Sequence, residues 1–356
     1  MTRPINNNWL TRFAFATAIA TLVLIGVGGL VTSKGVGMSV PDWPTTYGYN
    51  MFLFPISKWV GGIFWEHSHR LMASAVGLLT TILAIWLWVK EPRRWMRWLG
   101  VAAFFGVVLQ GVLGGLRVVW LKDEIGIFHA ALAQMFFVLL CAITLFSSRW
   151  WRNMLVMRKP QIDGAGLRGA LLLTTALIFG QLLLGATMRH QHAGLSIPDF
   201  PLAYHKVWPA LDANSIAAYN AQRVETAGEN PITAFQIVLQ LAHRFVALVI
   251  FCLVIFCARA TRRNLGADHP LSKLSLAWVG LVLVQVALGA VTIWSNKAAD
   301  VATAHVVTGA LTLANGALLT IISFRVLIPA RATVPAASEP TSSTFSPGKP
   351  AASSAK

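Results

Sequence analysis

Long apolar runs recur along the chain and alternate with shorter segments rich in polar and basic residues. Eight of these runs approach the ~20 residues that a helix needs to cross a bilayer. They lie at Trp9–Val31, Ser68–Val89, Trp98–Val118, Ile127–Phe146, Leu167–Thr187, Phe235–Cys257, Leu274–Ile293 and Ala304–Leu327. The pattern predicts an all-α membrane protein with eight transmembrane helices.

The composition agrees with this class. Of 356 residues, 56% are hydrophobic and 12% are charged, whereas soluble domains carry about 25% charged residues. The first run follows an N-terminus with only two arginines and has no small-residue cleavage site, which favours a retained helix over a signal peptide. The short head, residues 1–8, is not an Arg-rich transit sequence, so we expect a bacterial inner membrane rather than an organelle.

The net charge of +16 is distributed unevenly. With eight spans both termini lie on one side, and that side carries 19 of the 29 basic residues but four of the 13 acids. The positive-inside rule then predicts that both termini are cytoplasmic and that the long loops 32–67 and 188–234 face outward. A nucleic-acid surface is the alternative explanation of the charge. The concentration of the basic residues on one side of the predicted membrane favours contact with the lipid bilayer instead, so we expect no nucleic-acid partner. The tail, residues 329–356, is rich in Pro, Ala and Ser and is predicted to be disordered.

The chain contains an internal repeat. The segment GMSVPDWP at Gly37–Pro44 returns as GLSIPDFP at Gly194–Pro201, an offset of 157. Blocks around His69, Leu109 and His129 return at offsets of 174, 175 and 176, so 17 extra residues lie in the second outer loop. Because each unit has four spans, the units share one orientation and are related by an axis along the membrane normal. We predict two four-helix bundles, residues 9–147 and 167–328, in pseudo-twofold tandem and joined by a cytoplasmic linker at 148–166.

Four histidines lie near the outward ends of apolar spans, at equivalent places in the two units: His69, His129, His243 and His305. If the helices of each pair are diagonal in their bundle, the two imidazoles face each other across its centre, as in a haem site. Zinc or copper would require more ligands, and none of the cysteines lies near this layer. A hydrogen-bonded membrane histidine is the alternative for each one alone, but four at repeat positions favour ligation.

An arginine follows the first histidine of each pair, Arg70 after His69 and Arg244 after His243. A guanidinium suits the propionates of a haem, so both arginines are candidates for binding them. A snorkelling arginine at the membrane interface is the alternative.

The two units differ beside these histidines. Glu66 corresponds to Gln240, and His67 corresponds to Leu241. Glu66 is therefore a candidate catalytic acid that handles protons beside one pair only; a carboxylate that caps the second helix is the alternative. The difference predicts a permanent haem at the C-terminal pair and a haem that undergoes chemistry at the N-terminal pair.

Two further features belong to the same layer. Asp42 and Asp199 sit in the PDWP and PDFP segments, where they are expected to fix turns rather than to catalyse. Gly114, Gly115 and Gly289 are expected where helices approach a neighbour or a porphyrin edge closely.

Together these residues resemble the haem A synthase family. The resemblance rests on EHSHR at 66–70, FHA around His129, AHR around His243 and AHVVTG around His305, and it covers roughly residues 9–327. It implies oxidation of the C8 methyl group of haem O, through hydroxylated intermediates, to the formyl group of haem A for terminal oxidases. It also implies haem b on His243 and His305, the substrate haem on His69 and His129, and Glu66 as the residue that assists oxidation.

The resemblance further implies a haem O synthase and cytochrome oxidase assembly as partners, together with an electron donor that the sequence does not identify. One departure is the absence of the outer-loop cysteine pair that many members carry. A non-enzymatic di-haem cytochrome b explains the histidines equally well but leaves Glu66 unexplained, and a transporter is permitted by the parallel repeat.

Overall fold

A computed structural model describes residues 8–154, 164–222 and 231–327. Within these ranges the chain forms helices and short turns without a strand of a sheet. The helices are α1 Asn8–Ser33, α2 Gly61–Lys90, α3 Arg94–Val119, α4 Asp123–Ser147, α5 Arg149–Asn153, α6 Ala165–His190, α7 Ala213–Gln222, α8 Ala234–Leu265, α9 Pro270–Trp294 and α10 Ala299–Val326. Eight of them, all except α5 and α7, are long and apolar enough to cross a membrane, which confirms the predicted membrane class.

Local sequence explains several helix ends. Thr233 and Gln236 form a reciprocal capping box at the start of α8, and Pro270 occupies the first position of α9. The second helix ends at Lys90 because Glu91 precedes a proline, which disfavours helical geometry in the residue before it.

The second helix begins earlier than the apolar run suggests. It starts at Gly61 rather than near Ser68, and Val60 is its N-cap residue. Glu66 therefore lies in the second turn, beyond the reach of the free amide groups at the helix start. The interpretation of Glu66 as a capping carboxylate is wrong.

Each half forms a closed ring of four helices. In the first half α1 and α3 each pack against both α2 and α4, and in the second half α6 and α9 each pack against both α8 and α10. The helices that carry the histidines, α2 with α4 and α8 with α10, are thus diagonal, as the facing-histidine arrangement requires.

The contacts between the halves follow the repeat. Helix α1 packs on α10, α4 packs on α6, and α4 meets α10. Exchanging α1 with α6 and α4 with α10 reproduces the same set of contacts, which is consistent with a pseudo-twofold axis between α4 and α10. Ala310 and Ala314 belong to the apolar cluster that contains Ala14 and Ala18 of α1, so small side chains allow these helices to approach closely.

The extra residues of the second outer loop include α7. Its Tyr219 stacks on Tyr204 with ring centroids 3.7 Å apart, and it joins Ile197, Ile232 and Ile237 in a small apolar cluster. The insertion therefore adds a packed layer over the outer end of the second half.

Three expectations fall wholly or partly outside the described residues. They concern the head at residues 1–8, the linker at 148–166 and the disordered tail at 329–356. Of the linker, residues 148–154 and 164–166 are described, and α5 lies among them.

Candidate functional site

The four histidines lie at equivalent places on the diagonal helices. His69 of α2 and His129 of α4 belong to the first half, and His243 of α8 and His305 of α10 belong to the second. All four side chains are half-buried. Each has its Nδ1 atom buried and without a hydrogen-bond partner in the described part of the chain. A buried imidazole nitrogen without a partner is costly in a membrane, so these atoms require an explanation.

Each imidazole packs edge-on against a glycine of a neighbouring helix. A Cβ atom added to that glycine would meet the ring carbon Cε1 at 2.9 Å (Gly28 on His69), 3.4 Å (Gly114 on His129), 3.4 Å (Gly185 on His243) or 3.5 Å (Gly289 on His305). At Gly114 and Gly289 these are ordinary contacts, whereas the close approach expected in this layer is confirmed at Gly115, where an added Cβ would collide with the Trp43 ring. Gly28 and Gly185 were missed, although their separation of 157 residues matches the offset of the repeat.

Three glutamines hold the main chain of three of these histidines. The amide Nε2 donates to the histidine carbonyl oxygen in the pairs Gln110–His129 (3.1 Å), Gln181–His243 (2.8 Å) and Gln285–His305 (2.9 Å). The Oε1 atom of every one of these amides is buried and has no hydrogen-bond partner in the residues described. Sequence reasoning missed them; the available signal is a glutamine four residues before each glycine, in QGVLG, QLLLG and QVALG.

Glu66 is buried and fully engaged. Its Oε2 accepts a hydrogen bond from the Val40 N–H at 2.9 Å, and its Oε1 forms an ion pair with Arg70 at 2.6 Å. Gln240 makes the equivalent loop contact, since its Oε1 accepts from the Ile197 N–H at 2.7 Å. The two units thus anchor the outer loop in the same way, but only the first does so with a charge.

The two arginines reach into the outer loops. Besides Glu66, Arg70 donates to the carbonyl oxygens of Val40, Asp42 and Thr45. Its terminal donors are therefore occupied, and a propionate would have to share or replace one of these bonds.

Arg244 donates to the carbonyl oxygens of Leu202 and Asp199, and its guanidinium carbon lies 5.6 Å from the ring centroid of Phe200. Its Nε atom is buried and has no partner within the described ranges. Propionate binding by either arginine stays a prediction.

The carboxylates of the loop segments fix turns, as expected. Asp199 accepts from the N–H groups of Tyr204 and His205. Burial opposes ionisation of Asp42, but hydrogen bonds from the Gly48 N–H, the Thr45 hydroxyl and the Tyr47 N–H outweigh it and hold the pKa of Asp42 below its ordinary value of 3.8.

His67 occupies an aromatic pocket in the first half. Its Nδ1 lies 3.2 Å from the Thr46 hydroxyl, and its ring centroid is 5.0 Å from that of Phe54 and 4.7 Å from that of Trp59. Leu241 is its counterpart. His67 therefore packs under the outer loop beside Glu66.

The donor set fits haem better than a bare metal ion. Among the residues that the structure describes, no three His, Cys, Asp or Glu side chains come together to hold an ion. Each half instead offers two imidazoles from diagonal helices, and the glycines leave no side chain beside their rings. Two imidazole nitrogens per site would suit the iron of a haem, because the porphyrin supplies four ligands of its own.

Comparison with known proteins supports the same conclusion. A family model described as "Cytochrome oxidase assembly protein", COX15-CtaA, matches residues 11–316. A Heme A synthase from Lysinibacillus sphaericus is 27% identical over 69% of this chain and 73% of its own length, and one from Rhizorhabdus wittichii is 25% identical over 86% and 92%. Another, from Geobacillus kaustophilus, is 26% identical over 82% and 84%. Because the family model covers most of the chain, this protein belongs to the COX15-CtaA family of cytochrome oxidase assembly proteins.

Proposed function

We propose that this chain is a haem A synthase, a membrane oxidoreductase that converts the C8 methyl group of haem O to a formyl group. In the net change the methyl carbon loses two hydrogens and gains one oxygen, a four-electron oxidation that requires an external oxidant. The observation that carries the proposal is that each half places two histidines at equivalent positions on diagonal helices, in a chain of this family. Relatives that bear the name Heme A synthase, aligned over most of the chain, support the choice of reaction.

The two halves have different tasks in this proposal. The C-terminal bundle, residues 167–328, holds a permanent haem b on His243 and His305, and the N-terminal bundle, residues 9–147, holds haem O on His69 and His129. A bound haem supplies a redox-active iron. An imidazole that binds iron through Nε2 carries its proton on Nδ1 and usually donates it to a neighbouring acceptor. In all four histidines this Nδ1 is buried.

Glu66 assists the oxidation as a proton-handling group. Glu66 lies three residues before His69, within one turn of the same helix. Its carboxylate is held by Arg70 and by the Val40 N–H. The absence of a carboxylate at the equivalent Gln240 supports chemistry at the first site only. Because both oxygens are already bonded, the group is fixed in place before substrate arrives.

The location follows from the charge pattern. The chain is a multi-pass membrane protein, and we propose the bacterial inner membrane with both termini in the cytoplasm. A haem O synthase would supply the substrate, and the product would serve cytochrome oxidase assembly, the role that the family description gives.

The test is the haem content of cells that express the chain. Expression together with a haem O synthase, followed by acid extraction and mass measurement, should yield haem A or its hydroxylated precursor. Expression of the synthase alone is the control and should yield haems B and O. If the chain adds no oxidised haem under aerobic growth, the proposed reaction is wrong.

A di-haem cytochrome b is the second candidate. The equivalent loop bonds of Glu66 and Gln240 favour it, since a purely structural Glu66 would leave the two halves chemically alike. It predicts two b haems per purified chain, both low-spin and unmodified after growth with haem O.

A further inference from the structure

Three of the four site histidines share one supporting element. A glutamine and a glycine, four residues apart and hence one turn apart on a neighbouring helix, face the histidine. The glutamine amide bonds the histidine carbonyl, and the glycine receives the ring edge. These elements are Gln110 with Gly114, Gln181 with Gly185, and Gln285 with Gly289.

His69 is the exception. The glycine is present as Gly28, but the residue four positions before it is Leu24, in the sequence LIGVG. Leu24 is the repeat counterpart of Gln181 and cannot donate to the His69 carbonyl. The ring also lies closer to its glycine here, at 2.9 Å from an added Cβ against 3.4 to 3.5 Å at the other three sites. His69 is therefore packed against the glycine, but within residues 8–154, 164–222 and 231–327 no side-chain amide bonds its carbonyl.

The glutamines carry a second, unused group. Gln110, Gln181 and Gln285 each have a buried Oε1 without a partner, and the histidine that each one bonds has a buried Nδ1 without a partner, all among the residues described. An amide oxygen accepts and an Nδ1–H donates, so the two unmet groups are complementary, but in the described part of the chain the amides bond only the main-chain carbonyls. A hydrogen bond at this nitrogen fixes the ring and makes the other nitrogen a stronger ligand.

We propose that Gln110, Gln181 and Gln285 are positioning residues for haem-ligating histidines, and that Leu24 leaves His69 as the exchangeable ligand. The inference rests on the proposed function, since it assumes a haem at each histidine pair. In the C-terminal site both ligands are supported, by Gln181 and Gln285, so that haem is retained. In the N-terminal site only His129 is supported, which suits a haem that must enter as substrate and leave as product.

Reciprocal substitutions test this. Leu24→Gln adds the missing amide, Leu24→Met is its control with similar length and no amide, and Gln181→Leu removes an amide from the C-terminal site. The full-length chain, purified with haem b and haem O, is mixed with apomyoglobin, and the haem that remains is extracted at intervals. Because haem B separates on extraction from haem O and from the oxidised products of haem O, each site is followed individually. The low-spin ferric electron paramagnetic resonance signal is recorded in parallel.

We expect Leu24→Gln to slow the loss of haem O about 10- to 100-fold, the usual effect of a group behind a metal-bound histidine. Leu24→Met should lose it at the parent rate, and Gln181→Leu should lose haem b about 10- to 100-fold faster with a shifted low-spin signal. The inference would be overturned if Leu24→Gln and Leu24→Met lost haem O at equal rates, or if Gln181→Leu lost haem b at the parent rate.

The outcomes separate this inference from the proposed function. If the parent chain makes haem A but the substitutions do not change the rates of haem loss, the role of the glutamines is refuted and the proposed function is not. A parent chain that retains no haem at either histidine pair would refute both.

Discussion

Glu66 and Gln240 accept the same hydrogen bond in the two halves of the molecule, from the main-chain N–H of Val40 at 2.9 Å and of Ile197 at 2.7 Å. The loop contact is thus common to a carboxylate and an amide. Glu66 differs by its charge and its ion pair with Arg70, whereas Gln240 also accepts from the Ser196 hydroxyl and donates to the carbonyl oxygens of Gly194 and Ile197. This relationship gives a substitution that separates the anchoring of the loop from the handling of protons.

The substitution is Glu66→Gln. The new amide oxygen can still accept from Val40, as Gln240 does from Ile197, so the loop and the haem b spectrum should be preserved. Product formation should fall by about 100-fold or more, because general acid–base groups contribute factors of 10² to 10⁴. The measurement is extracted haem A per chain, normalised to haem b.

Glu66→Ala is the companion variant, since it loses the loop bond as well. If Glu66→Gln keeps full activity while Glu66→Ala loses it, the residue anchors the loop and does not handle protons.

The histidine pairs should separate by spectrum. His243→Ala and His305→Ala each remove one of two axial ligands and should abolish the low-spin haem b spectrum. His69→Ala and His129→Ala should retain that spectrum but form no product, because the substrate haem loses a ligand. Redox difference spectra of the purified variants check this. Loss of haem b in His69→Ala or His129→Ala, with the chain still folded, would contradict the division between the halves.

Gly28 and Gly185 offer a matched pair of small substitutions. A methyl group at Gly28 would lie 2.9 Å from Cε1 of His69 and must displace it, whereas at Gly185 the distance to His243 is 3.4 Å, an ordinary contact. Gly28→Ala should reduce product formation about tenfold or more, since small misplacements at a reacting centre are costly. Gly185→Ala should leave the haem b spectrum nearly unchanged. Equal effects of the two variants on their own sites would contradict this difference in packing.

The turn held by Asp42 should depend on pH. Its pKa is lowered in the folded loop, so the carboxylate stabilises the turn at pH values above its ordinary pKa of 3.8, and this stabilisation is lost as pH falls through the lower folded value. The N–H groups of Tyr47 and Gly48 donate hydrogen bonds to the Asp42 carboxylate. After correction for intrinsic rates, their amide hydrogen exchange should be slow at neutral pH and faster in strong acid. Asp42→Ala should exchange fast at both pH values. A turn in Asp42→Ala that is as protected as the parent at neutral pH would refute the assignment.

Much of the scaffold is predictable from the sequence because membrane helices are encoded by long apolar runs. The repeat then placed the histidines at equivalent depths, and the observed ring of helix contacts makes their helices diagonal. The start of α2 was missed because Gly61 and Gly62 have poor helix propensity. Gly62 packs so closely on Ser39 that a side chain there would clash, so tertiary contact decides the local structure.

The glutamines were missed for a related reason. A single polar residue in an apolar run has no partner in the sequence, and its partner here is a main-chain carbonyl on another helix. Helix α7 escaped detection because its sequence, ANSIAAYNAQ, is only weakly apolar. Contacts with the rest of the chain hold this helix in place, since its Asn220 exchanges two hydrogen bonds with the main chain of Ile232.

Trp43 and Gly115 form a contact whose counterpart uses different residues. The Trp43 ring lies directly on Gly115, where any side chain would collide with it. The second half has Phe200 and Ala290 at the equivalent positions, a smaller ring opposite a larger residue. Gly115→Ala should therefore destabilise the first half by about 1–3 kcal/mol through overpacking. Adding Trp43→Phe should restore most of that loss, measured as the thermal unfolding midpoint in detergent. Additive effects of the two substitutions, rather than rescue, would show that the ring and the glycine do not determine each other's size.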